Sequence, residues 1–303
     1  MELSRSDPDT LTISVVIPTH NRADRVSGAV VSACKQTRPP LEVLVVDNGS
    51  TDDTPSVLFG LAQQHRLVRV IRQENLGEAG SRNTGLREAR GDIVAFLDDD
   101  DAWMPEKLER QTRLFSLDPS LGMTFTSYRR VSATGADVVS VNTWSAEPAA
   151  VIRRLMLGCC IQTSTVVVRR SVLRDAGQFD GELLFSDWPM WLRIAGRGHR
   201  IGFLNEVLTE YAWHGENLSR SPVDVSETAM RMFAALFADP TLELGGRAVR
   251  RRCMARWRAL HAFNLLEVGQ AKRARRLLMR AAVTRVASVR PGWILAFARS
   301  WSR

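Results

Sequence analysis

Residues 13–17 (ISVVI) form a β-branched run that stops at Pro18, and residues 41–46 (LEVLVV) form a second run that stops at Asp47. Both read as buried strands. Between them Val26, Ala29, Val30 and Ala33 fall at helical spacing within residues 25–36, so the chain opens β-loop-α-β. A parallel strand pair joined by a right-handed crossover follows. The pattern then repeats, with a helix over 52–64, a strand over 68–72, a helix over 80–90 and a strand over 93–97. Such alternation specifies an α/β layer fold with a mostly parallel central sheet. Ligands of such sheets sit outside the carboxyl ends of the strands, which singles out the loops after Ile17, Val46 and Leu97. With 303 residues, 45% of them apolar, the chain can bury a sizeable core.

Further along, the pattern predicts a helix over 106–115, a less regular stretch, a strand-like segment over 164–168 and a Trp-rich helix over 187–195. From about Ser226 the reading is helical, with 247–267 and 271–286 as a hairpin broken at Gly269. The expected organisation is a disordered leader over 1–11, a catalytic domain over 12–222 and a basic helical region over 223–303. Cys34, Cys159, Cys160 and Cys253 lack CxxC spacing and neighbouring His at zinc-ligand distance, which argues against a disulfide framework or structural zinc. No secretory apolar segment opens the chain, and no apolar run of about 18 residues occurs in it. A cytoplasmic protein is expected.

The strongest chemical signal is Phe96-Leu97-Asp98-Asp99-Asp100-Asp101 at a strand end. Adjacent carboxylates repel by about 1 kcal/mol per close pair even in water, so a cation should compensate them. Mg²⁺ or Mn²⁺ suits carboxylate oxygens and keeps coordination positions for substrate phosphates. For Asp101 alone, capping of the helix near Pro105 is an equal alternative. The second signal, Asp47-Asn48-Gly49-Ser50-Thr51-Asp52-Asp53, combines a tight turn and a helix cap with oxygens able to accept from a base or ribose. Neither a G-x-G-x-x-G after the first strand nor a P-loop is present.

Taken in order, Ser14-Val15-Val16-Ile17-Pro18-Thr19-His20-Asn21-Arg22, Val45-Val46-Asp47-Asn48-Gly49-Ser50-Thr51-Asp52-Asp53-Thr54, Asn75-Leu76-Gly77 with Ser81-Arg82-Asn83-Thr84-Gly85, and the stretch from Phe96 through Trp103 with Pro105-Glu106-Lys107-Leu108 resemble the family 2 glycosyltransferases of the GT-A fold. The resemblance covers about residues 12–218. It implies an inverting, metal-dependent enzyme that moves a sugar from a nucleotide diphosphate to a hydroxyl of a saccharide or lipid-linked acceptor, in making a cell-surface polysaccharide or glycolipid. It also implies a nucleotide-sugar site formed by Pro18, Thr19, Asn21, Arg22, Asp47, Asn48, Arg82 and Asp98, with Asp99 as an auxiliary. Asp47 and Asn48 would surround the base and Arg82 would approach the diphosphate. Asn48 stands where the family usually has a second acid; its amide oxygen can still accept from a pyrimidine N3–H. UDP is the first choice of nucleotide, with dTDP and GDP as alternatives.

The family's DxD motif falls on Asp98 and Asp100, the first near the ribose and the second on Mn²⁺ or Mg²⁺. His214, in Trp213-His214-Gly215-Glu216-Asn217-Leu218-Ser219, matches a His that reaches the metal or diphosphate in relatives. Gly177-Gln178-Phe179-Asp180 and Phe185-Ser186-Asp187-Trp188 resemble the acceptor segment, which puts the general base on Asp187; an N-cap for the following helix is its alternative role. Trp103, Trp188, Trp191 and Trp213 could offer flat faces to a sugar or lipid, with Trp191 favoured as core. Two rivals stand beside this reading. A sugar-1-phosphate nucleotidyltransferase should have a Gly-rich loop where residues 18–22 have no glycine, and a non-catalytic, membrane-associated nucleotide-sugar-binding scaffold is suggested by Ser186 in place of an acid.

The formal charge of +8 hides an asymmetry. From Arg247 onward the chain carries fourteen Arg and Lys272 against Glu267 alone, a net +14 that leaves the preceding residues at −6. Such a tail is expected to pack on the catalytic domain or to meet an anionic surface, with the inner face of the plasma membrane as the candidate. Nucleic acid ranks last as a partner, because only charge points to it.

Overall fold

The computed structural model describes residues 11–215 and 221–282, with the side chains of 279–282 left aside. The chain divides into two compact units, one of residues 1–181 and 186–214, the other of 182–185 and 215–303.

The first unit is built on a curled nine-stranded sheet among the described residues. Its first half is the parallel set anticipated above: β1 (Ile13–Thr19), β2 (Glu42–Asp47), β3 (Val68–Arg72) and β4 (Ile93–Phe96), in spatial order β3-β2-β1-β4. Both faces of β1 and β2 are buried, so their side chains are apolar in runs rather than alternating. The crossovers are α1 (Val26–Cys34), α2 (Thr54–Gln64) and α3 (Gly77–Glu88). Gly85 is what lets α3 lie close to β1, since a Cβ there would stand 2.3 Å from Val16 Cγ1. That closeness sets the height of Arg82 above the sheet. Gly49, at φ +76°, makes the turn that follows β2.

The second half of the sheet is mixed. After β5 (Ala102–Trp103) and α4 (Lys107–Leu117), the stretch read as irregular contains the 12-residue strand β6 (Leu121–Ser132), its hairpin partner β7 (Gly135–Val139) and α5 (Pro148–Leu155). The segment read as a strand over 164–168 is a 3-10 turn, Thr163–Thr165, followed by β8 (Val167–Arg169), antiparallel to β4. Then come α6 (Arg170–Ala176), α7 (Asp187–Gly196) and β9 (Arg200–Ala212), a long strand that the sequence reading missed. β9 runs parallel to β6 and antiparallel to β5, with several register shifts. Trp103, Trp188 and Trp191 are buried, which leaves Trp213 as the partly exposed ring of the four. Leu11, placed with the leader, packs against the core; the rest of the leader lies outside the described residues.

The second unit contains α8 (Pro222–Ala238), α9 (Arg247–Glu267) and α10 (Ala271–Ala282), with α9 and α10 forming the expected hairpin. Ala262, Leu265 and Ala274 form its apolar seam, and Trp257 is buried beside Phe233. Among the described residues no helix is long and apolar enough to cross a membrane.

Candidate active site

The loops after β1, β2 and β4 are tied to one another by side chains that the sequence had marked. Asn21, at φ +52°, accepts from Thr51 N (2.8 Å) through Oδ1, and its own N–H donates to Ser50 Oγ (3.0 Å). Arg22 N donates to Thr54 Oγ1 (2.8 Å). Asp47 is buried, accepts from Ser50 N (2.9 Å) and lies 3.6 Å from Arg72 Nε. Asn48 Oδ1 accepts from Gln73 Nε2 (2.8 Å) and Leu76 N (2.9 Å), while its Nδ2 donates to Asn75 Oδ1 (2.9 Å). The oxygen expected to read a base thus holds the loop that leads into α3. Gln73 is a member of this network that went unmarked, because a lone Gln after a strand carries no spacing signal. Thr19, at the end of β1 just after Pro18, has a buried hydroxyl near Asp99 but makes no well-formed hydrogen bond.

The four aspartates after β4 have four different surroundings. Asp98 accepts from Arg82 (2.7 Å); burial pushes its carboxyl up to about 7, against the pull of that guanidinium. Asp99 lies 3.9 Å from Arg22 Nε, and burial raises it to about 6. Asp100 Oδ2 is 2.8 Å from His214 Nε2, which also lies 3.2 Å from an Arg25 guanidinium nitrogen. Asp101 is buried, accepts from Ser164 Oγ (2.5 Å) and Ala212 N (2.8 Å), and is driven well above the usual carboxylate range by burial. It does not cap α4, whose N-cap is Glu106; it fastens the acidic loop to the 3-10 turn and to β9.

Arg82 is buried at the centre of this end of the sheet. Besides Asp98 it donates to Ser186 Oγ (3.2 Å) and pairs with Glu78 one turn earlier. Burial opposes its charge, but Glu78, Asp98 and Asp187 outweigh that and hold it protonated. Its Nε is buried without a hydrogen bond, so the guanidinium keeps donor capacity. Next to Arg82, Asn83 bonds the backbone of Phe179 in both directions (2.8 and 2.9 Å), docking the Gly177-Gln178-Phe179-Asp180 segment on α3. Phe179 in turn lies beneath the Arg82 guanidinium, 5.8 Å away.

Asp187 is the first residue of α7; the N-cap is Ser186. Its Oδ1 accepts from Trp188 N (2.8 Å) and its Oδ2 from Thr163 Oγ1 (3.1 Å). Burial raises its pKa, with Arg82 and the Trp188 amide opposing. Glu78 and Thr163 were not marked in the sequence. Glu78 could have been found as the i−4 partner of an Arg on a helix, whereas the partner of Thr163 lies 24 residues away.

A divalent cation fits here on the chemistry of the donors. Asp100 and His214 would supply two ligands from neighbouring strand ends, and among the described residues no third His, Cys, Asp or Glu completes a cage. That suits Mg²⁺ or Mn²⁺, which take one or two protein ligands and complete their shells with water and substrate phosphate. Residues 216–220 of the His214 segment lie outside the described residues.

Comparison with known proteins gives the family and the fold that carry these residues. The profile described as Glycosyl transferase family 2 matches residues 14–175. The chain belongs to this family. Among family 2 relatives, an uncharacterized glycosyltransferase of Rickettsia felis is 28% identical over 232 residues, 76% of this chain and 38% of that one. A second, from Rickettsia bellii, is covered over 29% of its length, so the chain spans about a third of these two relatives. TuaG of Bacillus subtilis, named for teichuronic acid biosynthesis, is 30% identical over 68% of this chain and 81% of its own. WfaP of Escherichia coli, named as a UDP-Glc:alpha-D-GlcNAc-diphosphoundecaprenol beta-1,3-glucosyltransferase, is 29% identical over 68% and 79%. In fold, S. aureus TarS 1-349 in complex with UDP-GlcNAc superposes with a TM-score of 0.70 at 20% identity, over 96% of this chain and 89% of that one. The mannosyltransferase PcManGT of Pyrobaculum calidifontis, in complex with GDP-Man and Mn²⁺, gives 0.63 at 21% identity, over 97% and 86%. The family 2 chain therefore has the GT-A fold expected from its motifs.

Proposed function

We propose that this chain transfers a sugar, with inversion at the anomeric carbon, from a nucleoside-diphosphate sugar to a hydroxyl of a saccharide or lipid-linked acceptor in making a cell-surface polysaccharide or glycolipid. The observation that carries the reading is the convergence on Arg82: its guanidinium bonds Asp98 of the acidic loop and Ser186, the residue before Asp187. Donor-binding and acceptor-activating groups are thus held in one frame.

In this mechanism the loops carrying Pro18, Thr19, Asn21, Arg22, Asp47 and Asn48 embrace the nucleotide, and Asp98, with Asp99 beside it, meets the ribose. Arg82 approaches the diphosphate with its guanidinium and offsets the charge that grows as the glycosidic bond breaks. Asp100 and His214 would hold Mn²⁺ or Mg²⁺, which when bound would supply Lewis-acid stabilisation of the departing diphosphate. Asp187 takes the proton of the acceptor hydroxyl as that oxygen attacks the face opposite the leaving group, which inverts the centre. Its pKa, raised by burial, makes it a stronger base than a free carboxylate. UDP is the favoured nucleotide, as in the name of WfaP and in the TarS complex, with dTDP or GDP as alternatives. The lipid-linked acceptor in WfaP's name and the basic second unit support work at the inner face of the plasma membrane as a peripheral protein.

A thermal-shift screen of UDP-, dTDP- and GDP-sugars with and without Mn²⁺, followed by assay of nucleotide release with the donor that binds, tests the reading. A metal-dependent rise in Tm together with turnover is expected. Binding without turnover under any acceptor would leave a scaffold; no binding would end the proposal.

A further inference from the structure

The turn Thr163–Thr165 carries three hydroxyl residues that are all buried, at 3%, 0% and 0% exposure. Each residue of this turn is fixed to a different element. Ser164 Oγ donates to Asp101 Oδ2 (2.5 Å) and accepts from Asp98 N (3.0 Å), so one hydroxyl closes both ends of the acidic loop. The Ser164 carbonyl accepts from Trp103 Nε1 (2.7 Å) and from Thr209 Oγ1 on β9 (3.3 Å). The Thr165 carbonyl accepts from Gln111 Nε2 (3.0 Å), and Gln111 Oε1 accepts from the fully buried Lys107 Nζ (2.7 Å). Thr163 reaches the other way, its hydroxyl donating to Asp187 Oδ2 (3.1 Å).

We propose that this turn is a positioning element that holds the acidic loop and the Asp187 carboxylate in a single frame, with Thr163 as its contact on Asp187. The proposal rests on the reading of Asp187 as the base. A carboxylate bonded through only one oxygen can still swing about its Cβ–Cγ bond. Asp187 is bonded through both, by Trp188 N on Oδ1 and by Thr163 on Oδ2, so its plane is set before an acceptor arrives. The donated hydrogen bond also favours the ionised form against the burial that opposes it. Among the described residues, Arg82 and Glu78 of α3 and Cys159 are charged or titratable groups that face Asp187. None of them takes the place of the Thr163 hydroxyl on Oδ2.

The test compares Thr163→Val, which keeps shape and removes the donor, with Thr163→Ser, which keeps the donor, alongside Asp187→Asn. Turnover is read as nucleotide release with the donor selected by the screen above, and donor affinity by titration. Thr163→Val is expected to lower kcat roughly tenfold to a hundredfold with donor affinity unchanged. Its acid limb should move up by about one pH unit, the worth of a hydrogen bond to a charged group, and Thr163→Ser should restore both. A Thr163→Val enzyme with wild-type kcat and acid limb, while Asp187→Asn is inactive, would overturn the positioning role alone. So would a common loss of Tm, donor affinity and kcat in both Thr163 variants. An active Asp187→Asn would instead remove the base assignment beneath it.

Discussion

Four consecutive aspartates can coexist at the end of β4 because each meets a different partner, and the partner decides the work each can do. Asp101 is the most enclosed and is spent on the fold, bonded to Ser164 and to the backbone of β9. Asp98 is committed to Arg82. Asp100 faces His214 across 2.8 Å, a pair that a cation could open and occupy. Replacing Asp100 with Asn is therefore expected to abolish the Mn²⁺-dependent part of nucleotide binding and nearly all turnover, with Tm in the absence of ligand close to wild type. Calorimetric titration of the nucleotide with and without Mn²⁺ checks it; unchanged metal dependence would remove Asp100 from the metal. For Asp187→Asn, kcat should fall by about 10²- to 10⁴-fold while donor affinity holds, since the proton is taken only in the transition state. The sign of the pH dependence follows from the raised pKa of Asp187. A base must be ionised to act, so activity is lost as pH falls through that pKa, and the acid limb should lie above the ordinary carboxylate value of about 4.

At the scale of elements, the site depends on how close α3 comes to β1. With a Cβ at position 85 only 2.3 Å from Val16 Cγ1, Gly85→Ala must push the helix outward or distort the strand, and overpacking of this kind costs about 1–3 kcal/mol. Because Arg82 sits one turn earlier on α3, the same change should weaken donor binding. Urea unfolding and nucleotide titration would register both losses, and a stable variant with intact binding would show that α3 has room to move. The parallel half of the sheet was legible because its strands are apolar in runs and its crossovers keep helical spacing. The mixed half was not. β6 and β9 carry polar and charged residues such as Arg129, Arg130, Glu206 and Glu210 on partly exposed positions, so neither a continuous apolar run nor clean alternation marks them. The site followed the same rule: Asp98, Arg82 and Asp187 stood in motifs with fixed spacing. Glu78 was legible only as the i−4 partner of Arg82, whereas Gln73 and the 163–165 turn act through contacts that only the folded chain creates.

At the scale of the whole molecule the question is where the charge goes. The described part of the basic region is a helical unit with its own seam, and part of its aromatic and basic side chains are used inside it. Trp257 is buried against Phe233, and Arg250 donates to the carbonyls of Gly245 and Phe237 while stacking over the Phe237 ring. Arg247, Arg251 and Arg252 on α9 are exposed, as is Phe263 at 43%; Trp293, Phe297 and Trp301 lie outside the described residues. Each basic residue near an anionic surface contributes about 1 kcal/mol, so even these three, set in a region of net +14, would give salt-sensitive binding. The expected outcome is that the full chain co-sediments with vesicles containing phosphatidylglycerol, binds less as salt is raised, and is not retained by phosphatidylcholine vesicles. Changing Arg247, Arg251 and Arg252 together to Gln should weaken that binding roughly tenfold or more, while turnover on a soluble acceptor stays unchanged, because none of the three lies in the catalytic unit. Equal binding to both vesicle types, or to neither, would assign the arginines of α9 to the fold and solubility of the helical unit.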